Sequence, residues 1–204
     1  MEIKYDRKFY HDFRNFIVFL MDILYNIRAE GLDNIPTDTN YILAGNHLHI
    51  LDAALVAKYV DTDLRYMVDK KLYKYYLREY FFKKLGTFEI DPDKMDIKAV
   101  KEALILAKEY SLVIFPEGRT HELENDIPFR PGVAGISRLS NLPVVPFGIN
   151  GTYKPFSDLR ISFGEPINFK KLDIPKKEMD LYLEDTVRKL ERKWLWRVLW
   201  QKEK

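Results

Sequence analysis

Two short apolar runs, Tyr41-Ile42-Leu43-Ala44 and Leu112-Val113-Ile114, each stop at a cluster of polar residues, and no other feature constrains the fold of this chain as strongly. The first run leads into Asn46-His47-Leu48-His49-Ile50-Leu51-Asp52, the second into Phe115-Pro116-Glu117-Gly118-Arg119-Thr120. Unbroken apolar runs of this length read as buried strands. In α/β proteins the ends of such strands are where reactive groups are presented. Both clusters therefore stand where a site is expected.

The segments between and around these runs read as alternating helices and strands. Near the start, Phe13, Phe16, Ile17, Leu20, Ile23, Leu24 and Ile27 recur at helical spacing, with Asp12, Asn15, Asp22 and Asn26 off the stripe. That pattern predicts an amphipathic helix within residues 1–30, closed by Gly31 and Pro36. Helices are predicted over Ala53 to Tyr59, over Ile97 to Glu109 behind an Asp96 N-cap, and from Arg130-Pro131-Gly132 to about Ser140. Further strands are predicted at Leu64 to Val68, Gly86 to Ile90, Pro143 to Ile149 and Ile161 to Phe163. From Lys177 the chain reads as a second amphipathic helix, over residues 177–204. Alternation of this kind predicts an α/β fold, with helices flanking a central mixed, mostly parallel sheet. With 204 residues and no linker or repeat, residues 1–204 are expected to form a single domain.

Composition narrows the chemistry. A net charge of +2 gives no reason to expect nucleic acid as a partner. With no cysteine, thiolate nucleophiles, disulfides and cysteine zinc sites are excluded, and no metal site is expected. The apolar stretch from Phe13 to Ile27 is interrupted by Arg14, Asp22 and Asn26, so it falls short of the ~20 apolar residues of a spanning helix. The chain is therefore expected to be soluble or peripheral to a membrane.

Histidine is the side chain best suited to accept a proton near neutral pH, and an aspartate on its other ring nitrogen fixes the tautomer and stabilises the imidazolium. His47 and Asp52 are five residues apart, about 140° around a continuous helix, so they can meet only across a turn. His49, three before Asp52, can pair with it along a helix. Spacing alone leaves both histidines open. In the second cluster Pro116 and Gly118 shape a tight turn, Glu117 offers a carboxylate, and Arg119 offers a planar fork for a phosphate.

Asn-His-x4-Asp, followed about 65 residues later by Phe-Pro-Glu-Gly, resembles the glycerolipid acyltransferases of the 1-acylglycerol-3-phosphate acyltransferase type. Further ordered segments carry the resemblance across most of the chain. These are Gly31-Leu32-Asp33-Asn34-Ile35-Pro36, Gly86-Thr87-Phe88-Glu89-Ile90-Asp91, Val144-Val145-Pro146-Phe147-Gly148-Ile149 and Phe163-Gly164-Glu165-Pro166-Ile167. The resemblance implies that His47 is the general base and that Asp52 orients it. It also implies that Glu117 and Gly118 position the acceptor and stabilise the tetrahedral oxyanion through backbone N–H groups. The implied donor is acyl-CoA or acyl-carrier protein as cosubstrate, with no further cofactor, and the implied acceptor is a lysophospholipid. The implied location is cytoplasmic, peripheral at the inner face of the membrane.

Two positions depart from the family pattern. Pro92 stands where an arginine usually binds the acceptor's phosphate, with Lys94 two residues on, and Arg119-Thr120 inverts the usual Thr-Arg order. Arg119 with Lys94 or Arg130 is expected to rebuild that site. The alternatives are a different acceptor or a catalytically silent lipid-binding member of the fold. For contact with the bilayer, Trp194, Trp196 and Trp200, interleaved with basic residues, form an interfacial segment or a closing core helix. The N-terminal stripe has the same two readings, and the Lys- and Tyr-rich residues 69–85 read as a solvated face, with a docking surface as the alternative.

Overall fold

A computed structural model describes the main chain of residues 4–94, 96–121 and 127–202, and side chains through Lys193. Seven strands form one sheet, in the order β1 (Asn26–Glu30), β7 (Asp158–Phe163), β6 (Val144–Gly151), β2 (Ile42–Gly45), β5 (Ser111–Ile114), β3 (Leu64–Asp69), β4 (Phe88–Ile90). All neighbouring pairs are parallel except β6 with β7, so the fold is α/β with a mixed, mostly parallel sheet, as expected. At its centre β2 lies between β6 and β5, and all three run in one direction. Their C-terminal ends therefore meet at one edge of the sheet.

The apolar runs are explained by cover on both faces. Leu43, Val113 and Val145 point to the side where helices α1 (Arg7–Leu24) and α2 (Asp52–Lys58) pack. Ile42, Ala44, Leu112 and Ile114 point to the opposite side, among Ala103 of α4 (Ile97–Leu106), Ala134 and Ile136 of α5 (Val133–Ser140) and Leu183 and Val187 of α6 (Met179–Lys202). Successive side chains of a strand face opposite ways. With helices on both sides, each position of β2 and β5 must be apolar or small.

The N-terminal expectation needs correction. Helix α1 starts where Asp6 accepts the N–H of Phe9, and it stops at Tyr25, which turns extended. Residues 26–30, expected as its continuation, form edge strand β1 paired with β7. Ile27 thus belongs to the sheet. The face of α1 that is buried carries Tyr10 and Met21, while Phe16, Phe19 and Ile23 of the predicted stripe and its surroundings are 57%, 61% and 55% exposed. Residues 69–85 hold a 3-10 turn at Lys70–Lys74 and helix α3 (Tyr76–Lys84), ended by Gly86 at φ +76°. Phe81 of α3 packs edge-on against Phe9 and Phe13 of α1.

Helix α6 lies on β6. A Cβ on Gly148 would sit 2.3 Å from the backbone nitrogen of Glu191, so only glycine admits this approach. The side chains of Trp194, Trp196 and Trp200 lie outside the described residues.

Candidate active site

The ends of β2, β5 and β6 bring His47, Glu117 and Tyr153 into one network. After β2, Asn46 is fully buried and behaves as an extra rung of the sheet. Its amide donates to the Ile149 carbonyl at 2.8 Å and its oxygen accepts the Ile149 N–H at 2.7 Å. That double bond to β6 fixes the point at which the chain leaves the sheet, and the next five residues turn sharply into α2.

Asp52 opens α2 and closes the turn. Its Oδ2 accepts His47 Nδ1–H at 2.8 Å and the backbone N–H groups of Leu48 at 2.6 Å and His49 at 2.8 Å. Its Oδ1 accepts the Tyr153 hydroxyl. The strand-to-helix turn is what lets residues five apart meet. The same turn decides between the histidines: the His47 ring bonds the carboxylate, whereas His49 reaches it only through its main chain. The His49 Nδ1 instead accepts the Leu51 N–H, and its ring stacks on Tyr153 at 4.4 Å.

With Nδ1 engaged, His47 is left with Nε2 as its reactive nitrogen. The ring stacks on Phe115 at 4.1 Å, and the side chain is 20% exposed while Asp52 is fully enclosed. A base held in one tautomer, backed by an aromatic face and open at one edge, can take a proton from a bound hydroxyl.

Glu117 lies beneath this turn rather than in the opening. Its carboxylate is fully buried, and Oε2 accepts the His47 backbone N–H at 2.7 Å. Oε2 is also 2.8 Å from His121 Nε2, and Oε1 is 2.9 Å from Arg188 Nη1. Burial raises its pKa, opposed by His121, the His47 N–H and Arg188. In this arrangement the Glu117 oxygens face the His47 backbone, His121 and Arg188. The Gly118 N–H closes the turn onto the Phe115 carbonyl at 3.0 Å. Gly118 adopts φ +69°, and the Arg130 side chain lies across it, Nε 3.0 Å from where a Cβ would stand.

The remaining expected residues fall apart in space. Arg119 is exposed on the turn after β5, and Arg130 is exposed in the segment that leads into α5. Lys94 follows edge strand β4, where it pairs with Asp91 at 3.2 Å. Asp91 is held at a pKa of about 2, first by its bond with Lys70 and then by the Asp93 N–H and Lys94. Lys94 thus stands at the β4 edge of the sheet, with its side chain 67% exposed.

Three participants escaped the sequence reading: Tyr153, His121 and Arg188. Tyr153 follows a predicted strand by only a few residues, so the strand-end rule alone could have raised it. Arg188 carries Glu184 four residues before and Glu191 three after, a spacing that marks a cation held along a helix. His121 sits just past the second cluster and carried no signal of its own.

Beside the His47 turn, Ile50 reaches an open, mainly apolar groove of about 500 Å³ lined also by Leu72, Leu77, Arg78, Phe81 and Phe82. Residues 69–85 thus form one wall of a depression that begins within the first cluster. No group of three or more His, Asp or Glu side chains among the described residues is arranged to hold a metal ion. Nor is any helix among them long and apolar enough to cross a membrane.

Comparison with known proteins adds the following. The family described as Acyltransferase matches residues 26–150, which take in β1 through most of β6 and both clusters. A 1-acyl-sn-glycerol-3-phosphate acyltransferase of Cocos nucifera is 30% identical over 139 residues, covering 66% of this chain and 44% of that protein. The chain thus aligns with less than half the length of that curated relative. Among solved structures, the 1-acyl-sn-glycerophosphate (LPA) acyltransferase PlsC of Thermotoga maritima superimposes with a TM-score of 0.72. That match covers 90% of this chain and 77% of the other at 22% identity, a likeness of fold.

Proposed function

The chain belongs to the Acyltransferase family, and on that premise we propose that it moves a fatty acyl group from an acyl thioester to the hydroxyl of a lysophospholipid. The single observation carrying this reading is the His47–Asp52 pair, 2.8 Å apart at the end of the central strand with the imidazole edge open. The donor is acyl-CoA or acyl-carrier protein, and 1-acylglycerol-3-phosphate is the acceptor to test first.

In this mechanism His47 Nε2 removes the proton of the acceptor hydroxyl as the oxygen attacks the thioester carbonyl. Asp52 stabilises the imidazolium that forms. The tetrahedral intermediate collapses with cleavage of the carbon–sulfur bond, and the imidazolium returns the proton to the thiolate. An acyl-enzyme is not required, since the acceptor attacks directly. The groove walled by Ile50, Leu77 and Phe81 takes an acyl chain, and its apolar lining supports that use. Arg119 and Arg130 supply the positive charge for an acceptor phosphate, because Lys94 is already paired with Asp91. The protein works peripherally at the cytoplasmic face of a membrane, where its acceptor resides.

The test offers labelled acyl-CoA and acyl-carrier protein with a panel of lysolipids to the wild type, His47→Ala and His49→Ala. Transfer that survives in His49→Ala but is lost in His47→Ala supports the reading. No transfer to any acceptor overturns it in favour of a silent member of the family. Loss only in His49→Ala overturns the choice of base.

A further inference from the structure

We propose that Tyr153, outside both sequence clusters, is a positioning residue that sets the orientation and charge of Asp52 and through it the His47 base. The inference concerns the resting geometry, and its effect on turnover rests on the acyl-transfer reading above.

The Asp52 carboxylate has four partners, and they come from two segments, the turn after β2 and the connection after β6. On Oδ2 converge the His47 ring and the N–H groups of Leu48 and His49, all from the turn itself. Oδ1 points away from the turn, toward the connection after β6, and Tyr153 donates to it from there. Without that bond a fully buried carboxylate oxygen loses its donor, a costly arrangement in a protein interior. No lysine or arginine among the described residues pairs with Asp52. Its surroundings therefore consist of His47, the two backbone N–H groups, the phenol, and His49 stacked on the phenol ring.

Tyr153 is itself held in place. Tyr25 meets its ring edge-on at 5.6 Å, and the Tyr25 hydroxyl donates to the Tyr153 carbonyl at 3.4 Å. Burial, with the Asp52 carboxylate next in weight, pushes the Tyr153 phenol above its usual range, so it keeps its proton and remains a donor. A neutral phenol on Oδ1 draws part of the carboxylate's charge away from His47. It also prevents the carboxylate from rotating out of the plane that serves Nδ1. His49, the rival histidine of the sequence, acquires a role here: its ring forms the far wall that keeps Tyr153 over Asp52.

The test compares wild type, Tyr153→Phe and Tyr25→Phe, each first checked by thermal unfolding. The resonance of the His47 Nδ1 proton, assigned by its absence in His47→Ala, is read without substrate. It is expected to move in Tyr153→Phe and to stay put in Tyr25→Phe, which perturbs packing but leaves the phenol on Asp52. With substrates, Tyr153→Phe is expected to lower kcat about tenfold with KM changed less than twofold, the signature of a displaced base rather than weaker binding. An unchanged resonance in folded Tyr153→Phe overturns the proposal. If Tyr153→Phe does not fold, 3-fluorotyrosine at position 153 keeps the shape and makes the phenol a stronger donor. The resonance must then move in the direction of a weaker Nδ1–Asp52 bond, and no movement overturns the proposal. Because the resonance needs no turnover, a wild type without transferase activity refutes the acyl-transfer reading and leaves this test intact.

Discussion

Glu117 Oε2 accepts the backbone N–H of His47 at 2.7 Å, so the acid of the second sequence cluster holds the main chain of the first. The two clusters, 70 residues apart at this contact, are one structural unit because β2 and β5 are adjacent parallel strands. The carboxylate is clamped from beneath by Arg188 of α6 and from the side by His121, which ties the C-terminal helix to the loop that carries His47.

Replacing Glu117 by Gln keeps the shape and removes the charge between Arg188 and His121. Breaking one partner of a buried ionic cluster is expected to cost about 3 kcal/mol of stability. Denaturant unfolding measures that loss. The loosened His47 loop should also lower activity at least about tenfold, even under conditions where the variant is folded.

Asp52→Asn tests the charge of the pair while preserving its frame. The amide oxygen can still accept from Leu48 and His49, and the amide nitrogen can still face Tyr153. What disappears is the negative charge that favours the Nδ1–H tautomer and the imidazolium. Activity is expected to fall by about 10²–10⁴-fold with little change in the melting temperature, read by kinetics and calorimetry on one preparation.

The pH dependence of stability has an identifiable contributor at the far edge of the sheet. Asp91 titrates at about 2 in the folded protein, held down first by Lys70. An unfolded aspartate titrates near ~3.9. A depressed carboxyl stabilises the fold above its unfolded value, and that contribution is lost as pH falls through the folded value. Melting temperature should therefore drop between about pH 4 and pH 2, and Asp91→Asn should flatten the drop across that window. A slope unchanged by the substitution would assign the acid sensitivity to other carboxyls.

The central strands were legible because burial on both faces leaves a run such as Ile42-Leu43-Ala44 uniformly apolar. Edge strand β1 was not legible, because Asn26–Glu30 contains two charged residues and Ile27 continues the spacing of the preceding helix. Its strand identity comes from pairing with β7, a contact remote in sequence that overrides the local preference. The same division holds at the site. His47 and Asp52 are visible as a spacing, but choosing His47 over His49 required the turn that aims one ring at the carboxylate. Tyr153 and Arg188 reach the network from elements whose proximity is a property of the sheet order alone. Lys94 illustrates the converse: it was close to a motif in sequence, yet β4 carries it to the edge, where Asp91 occupies it.

Gly148 offers a test of the link between α6 and the His47 loop. A Cβ there would meet the Glu191 nitrogen at 2.3 Å and the Leu190 carbonyl carbon at 2.6 Å, both main-chain atoms that cannot swing aside. Gly148→Ala is expected to lift α6 from β6, cost about 1–3 kcal/mol, and draw Arg188 away from Glu117. Activity should then fall along with stability. A destabilised variant with full activity at low temperature would show that α6 braces the fold without bracing His47.

The exposed face of α1 bears on how the proposed lysophospholipid acceptor reaches the site. Phe16, Phe19 and Ile23 recur at helical spacing and are each more than half exposed, an expensive arrangement in water for a helix that already buries Tyr10 and Met21 elsewhere. Phe9 and Phe13 of the same helix contact Phe81, which lines the groove beside Ile50, so the apolar face and the groove belong to one side of the molecule. Replacing Phe16, Phe19 and Ile23 together by serine removes three exposed side chains and leaves the buried residues of α1 in place. The variant is expected to keep its melting temperature and lose most of its co-sedimentation with anionic vesicles. Turnover on vesicle-embedded acceptor should fall with it, while turnover on acceptor dispersed below its aggregation threshold should not. Unchanged sedimentation would move the contact surface away from α1.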